Sequence, residues 1–125
     1  MAIGYKICTV YQENLLSYNT TRFDYLCVEY EIGKPIKAPN NTRLFIFSCL
    51  EKAKNFKEEC DGIFTCEYDE LDAIEENGMI SSCKSHFDLY WKWFNSGRVG
   101  ECPVAKWQYS HVLMVSELTL LERIA

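Results

Sequence analysis

No apolar run in this chain approaches the roughly 20 residues that a membrane-spanning helix needs, so no membrane partner is expected. The opening stretch, MAIGYKICTVYQ, has neither a basic region ahead of an apolar one nor a small-residue cleavage site. It does not read as an export signal. Histidine is scarce: His86 and His111 are the only two. Neither stands at metal-ligand spacing from cysteine, histidine or carboxylate, so a zinc site is not expected. G-x-S-x-G, Walker and G-x-G-x-x-G sequences are missing, which leaves no anchor for the common hydrolase, phosphate and dinucleotide chemistries. No catalytic residue, metal or cofactor is therefore expected.

Cysteine, by contrast, is abundant, with seven residues in 125. The number is odd, no pair is spaced C-x-x-C and no export signal precedes them, which argues against both a disulfide framework and a zinc knuckle. They are expected as reduced, small core hydrophobes in a cytosol. Asn19-Thr20-Thr21 and Asn40-Asn41-Thr42 match the glycosylation pattern, which means nothing without secretion. The charge is also uneven. Net charge is −5, and Glu67, Asp69, Glu70, Asp72, Glu75 and Glu76 follow closely on Glu58, Glu59 and Asp61. Such a balance argues against general nucleic-acid binding, which needs a basic face. An acidic stretch of this kind is either a solvated loop or a surface for a basic protein.

With 48% hydrophobic and 25% charged residues, the chain is expected to fold as a single compact domain spanning 1–125. The predicted class is α+β, a mainly antiparallel sheet with two principal helices. Tyr5 to Tyr11 alternates as a first strand, Gln12 to Arg22 reads as a turn or ragged hairpin, and Phe23 to Ile32 as a second strand. In that strand Leu26, Val28, Tyr30 and Ile32 are expected to face the core. Gly33 ends it, and GKPIKAPNNTR reads as a loop carrying Lys34, Lys37 and Arg43, either solvated or able to hold an anion.

The chain's organising unit is Arg43 to Tyr68. Leu44 to Phe47 is a buried strand, and Ser48 with Glu51 has capping-box spacing. Leu50, Ala53, Phe56 and Cys60 form a helical stripe, and Gly62 suits the residue that closes a helix. Ile63, Phe64 and Cys66 begin another strand, joined by a right-handed crossover or placed antiparallel in another sheet. Glu70 to Ser82 is acidic, with a turn signal at Asn77-Gly78, and its aspartates do not fit a calcium loop.

Ser85 to Asn95 is predicted as the second helix, capped by Ser85 with Asp88 and stopped by Gly97. Phe87, Tyr90, Trp91 and Phe94 share one face, and His86, Leu89 and Trp93 a neighbouring one. So wide an apolar arc implies either a central core helix or a second contact, through self-association or a partner groove. Arg98 to Gln108 is irregular, Val112 to Val115 reads as a strand, and a terminal strand follows, although Leu118, Leu121 and Ala125 would also suit a helix.

Two resemblances bear on function. Tyr30, Gly33, the Ala38-Pro39 loop, Leu44 to Phe47, Ala53, Phe56 and the closing SELTLLERI resemble the layout of small uncharacterised phage- and prophage-encoded accessory proteins. The resemblance implies an accessory role, inhibition of a host defence protein among them. A strand ending in serine, followed by a helix with inward Ala53 and Phe56, is similar to part of the ADP-ribosyltransferase fold. That resemblance would give Lys6, Ser48 and either Glu67 or Glu117 the family's three site positions, with lysine departing from its arginine or histidine.

The leading expectation is a non-enzymatic, cytoplasmic binding protein, a homo-oligomer that blocks or sequesters a host protein or small anionic ligand. An enzyme of ADP-ribosyltransferase type and a structural or assembly protein are the alternatives. Lys34, Lys37, Arg43 and Arg98 would supply charge, and Tyr90, Trp91 and Trp93 contact area. The site is expected where the basic loop, the acidic loop and the aromatic helix meet.

Overall fold

Alternating side chains carry the first strand through the predicted stretch and past its start. In the computed structural model, which describes residues 1–17, 28–39, 41–80 and 84–125, β1 spans Ala2–Tyr11 and turns back as β2, Asn14–Ser17. The hairpin closes with Tyr11 opposite Asn14, and Gln12 in its turn has a positive φ of 56°. Half of the strand expected over Phe23–Ile32, residues 23–27, lies outside the described residues. Within them, β3 (Glu29–Tyr30) pairs with β2, and Val28 and Tyr30 are buried as expected. Ile32 is not: it is half-exposed beyond the strand's end.

The segment expected as a basic loop contains a short strand, β4 (Pro35–Lys37). A proline-led triplet is a poor strand alone. It is held by β9 (Glu117–Arg123), with Ile36 opposite Leu118. The terminal strand reading of β9 follows the alternation, since Leu118 and Leu120 are buried.

The organising unit forms as β5 (Leu44–Phe47), α1 (Leu50–Phe56) and β6 (Asp61–Tyr68). Both strands run antiparallel to β1, which lies between them. They are therefore parallel to each other, in a crossover that steps over one strand. Its local chemistry differs from expectation. The capping box does not form: Cys49 is the N-cap, without a side-chain bond. Ser48 is occupied elsewhere, donating its amide and hydroxyl to the His111 carbonyl at 2.9 and 3.4 Å. The helix stops at Phe56, so Cys60 is exposed beyond it and Gly62 is buried inside β6.

Asn77-Gly78 is not a turn either. It lies within β7 (Ile74–Ile80), which pairs with β8 (Lys106–Val115). The register passes from Glu76 opposite Val112 to Gly78 opposite Gln108, so the surplus residues belong to β8. There His111 adopts φ 64°, the signature of a bulge. After β7 comes α2 (Lys84–Asn95). Its end is the predicted glycine stop. Gly97 has φ 93°, and the Gly97 and Arg98 amides return to the Phe94 and Trp93 carbonyls at 3.2 Å, a Schellman closure.

These elements make an α+β fold with a mainly antiparallel sheet in the order β4-β9-β6-β1-β5-β8-β7, and β2 with β3 alongside β1. One face of the sheet gathers Cys8, Leu44, Ile46, Phe64, Cys66, Leu118 and Leu120 beneath Val28 and Tyr30. The other takes both helices. Ile7, Phe47, Ile63 and Val112 pack under Ala53 of α1, while Met114 and Phe45 pack against Tyr90 and Trp91 of α2. Seven residues cannot sustain a helix alone, so α1 depends on this contact; each large side chain so buried contributes about 1.5–3 kcal/mol. Among the described residues no helix is long and apolar enough to cross a membrane.

Candidate functional site

The three segments expected to frame a site do converge. The Arg43 Nη1 donates to the Asp72 backbone carbonyl at 2.8 Å and to its carboxylate at 3.3 Å, joining the basic loop to the acidic one. Asn95 Nδ2, at the end of α2, donates to the Asn41 carbonyl at 2.9 Å. The second Asp72 oxygen accepts the Ser116 amide at 2.6 Å and its hydroxyl at 2.8 Å. One carboxylate thus ties together the acidic loop, the basic loop and the β8–β9 turn. Burial pushes the Asp72 pKa up, but the two Ser116 bonds and the Arg43 guanidinium outweigh it and leave the carboxyl below its ordinary value.

This convergence neutralises charge instead of presenting it. Arg43 is committed to Asp72 in a half-buried pair. Lys34 pairs with Glu31 at 3.1 Å on the surface. Lys37 is exposed on β4, directly across from Glu117. The three cations therefore each have a carboxylate neighbour and are not gathered around one anion position.

The aromatic residues also turn inward. Tyr90 is fully buried and Trp91 nearly so, their rings edge to face at 4.9 Å. They belong to the contact between α2 and the sheet and present no surface to a partner, contrary to expectation. The Tyr90 phenol donates to Glu76 at 2.6 Å, and burial, then this carboxylate, raises its pKa. Trp93 is half-buried, its indole N–H shared between the Val99 and Gly100 carbonyls at 3.2 and 3.3 Å. Arg98 lies over the Phe94 ring at 4.5 Å, a cation–π contact within the chain. Among its described side chains, what α2 leaves outside is Ser85, His86, Asp88, Leu89, Lys92 and Asn95. The Phe87 side chain lies outside the described residues.

Beside the Asp72 junction is a groove of about 450 Å³ that shares Asp72 and Ser116 in its lining. Its other polar residues include Glu67 of β6, Asp69 just after it, and Glu117 of β9, with Met1 and Pro35 as apolar wall. None of these three carboxylates joins an ion pair among the described residues. Asp69 accepts the Leu71 amide at 2.9 Å, and Leu71 itself stands 95% exposed. Glu117 has Lys37 as its cross-strand neighbour, which leaves Glu67 and Asp69 uncompensated along this concave wall, where they raise the local concentration of cations. They do not form a metal centre, for no group of three or more candidate ligands is arranged to hold an ion among the described residues.

Lys6 and Ser48, which one resemblance would group with Glu67 or Glu117, line no part of this groove. Lys6 lies opposite Phe64 and Glu67 opposite Ile3, so the lysine and the glutamate project from opposite faces of the sheet. The Lys6 amine is buried in the inner core, donating to the Phe45 carbonyl at 2.9 Å and lying 5.6 Å from the centre of the Tyr30 ring. Burial lowers its pKa and pushes the neighbouring Cys8 and Cys66 thiols up to about 12. Strict alternation with Gly4 and Cys8 was the signal that Lys6 points inward. Comparison with protein-family models, with curated proteins and with solved structures finds no match to the chain.

Proposed function

We propose that this chain is a non-enzymatic binding protein of phage or mobile-element type, which blocks or sequesters a host protein in the host cytosol. Its groove would take a cationic segment of that partner. The observation that carries this reading is the set of groove carboxylates outside any ion pair among the described residues, Glu67, Asp69 and Glu117, the last with Lys37 across from it, beside a neighbourhood where Arg43 and Lys34 are already paired. Each exposed pair formed with a ligand would add about 0.2–1 kcal/mol, so affinity requires several at once and falls as salt rises.

Titration of the isotope-labelled protein with a lysine-rich peptide tests the reading. Amide shifts should concentrate at Glu67, Asp69, Glu117 and Thr119, shrink at high salt, and vanish in a Glu67→Lys, Glu117→Lys variant. Equal binding of a glutamate-rich peptide, or shifts spread over the whole surface, would overturn it.

Self-association is the second reading, favoured by Ile3 and Leu121, half-exposed apolar residues of β1 and β9. Sedimentation equilibrium decides it. A species that stays monomeric across the accessible concentration range removes it.

A further inference from the structure

We draw no further inference here: the strongest candidate, the outer edge of β7 at the end of the sheet, carries nothing, because nothing in the structure shows what covers it.

Discussion

The phenol of Tyr90 donates a 2.6 Å hydrogen bond to the Glu76 carboxylate across the contact between α2 and β7. Both residues are buried, so the bond is made away from water, where losing a donor is costly. Tyr90→Phe keeps the ring against Trp91 and removes only this donor. It should lower unfolding stability by about 1.5–3 kcal/mol, the range for hydrogen bonds to charged groups. Glu76→Gln retains an acceptor and should cost less. Urea unfolding with an unchanged slope reads both. An unmoved midpoint for Tyr90→Phe would mean that the bond does not anchor the helix.

Asp72 governs the acid limb. Its pKa is held below the ordinary 3.8, so the folded state favours the carboxylate more than the unfolded chain does. The resulting stability is fully present above that ordinary value and is lost as pH falls through the folded value. Asp72→Asn should remove this part of the pH dependence and leave a flatter acid limb. Ser116→Ala should flatten it partially, because it removes the hydroxyl donor and keeps the amide. Thermal midpoints measured across the acid range test both. Identical acid slopes in wild type and Asp72→Asn would sink the assignment.

Much of the sheet was legible because strand periodicity is local. Leu44 to Phe47, Val112 to Val115 and the alternation of Leu118 with Leu120 all form the strands expected of them. The failures share a cause, in that a distant strand overrules a short-range signal. Ser48 would cap α1, but the His111 carbonyl takes its amide and hydroxyl. Asn77-Gly78 would turn, but β8 pairs on either side of it and absorbs the mismatch as a bulge. Pro35–Lys37 becomes a strand only because β9 lies beside it. The groove is less legible still, since its walls come from residues 1, 35, 67–69, 72 and 116–119. No window of sequence contains it.

The alkaline limb is set inside the core. Cys8 and Cys66 keep their protons up to about 12, against 9.0 ordinarily. Above pH 9 the unfolded chain therefore binds fewer protons, and stability falls by about 1.4 kcal/mol per pH unit for each thiol. Lys6 acts in the opposite sense. Its lowered pKa means that the folded state sheds a proton first, so its contribution rises with pH until the ordinary value of 10.5 is passed. Replacing both thiols by alanine should flatten the decline above pH 9, whatever the cavities cost at neutral pH. Lys6→Met should steepen it below pH 10.5, because the compensating group is gone. Unfolding free energies from pH 8 to about 11 distinguish the variants; parallel curves would show that these three groups do not titrate as their burial requires.

Gly4 is where an added side chain would be crowded. A Cβ there would lie 3.1 Å from both Ile46 Cδ1 and Tyr68 Cε1 and 3.3 Å from the Phe47 carbonyl oxygen. Ile46 is fully buried and Tyr68 nearly so. The obstruction thus combines packed side chains with backbone, and none of it can swing into solvent. Gly4→Ala should cost about 1–3 kcal/mol, the range for forcing an extra carbon into a filled core. Gly33 is the control. Its φ is 83° and nothing lies within 4 Å of an added Cβ, so Gly33→Ala pays only for conformation, about 1–2 kcal/mol. The two differ in what rescues them. Ile46→Val opens space at the Gly4 contact and should restore part of the Gly4→Ala loss while doing nothing for Gly33→Ala. If Ile46→Val and Gly4→Ala add without interaction in denaturant unfolding, the close approach is not what excludes a side chain there.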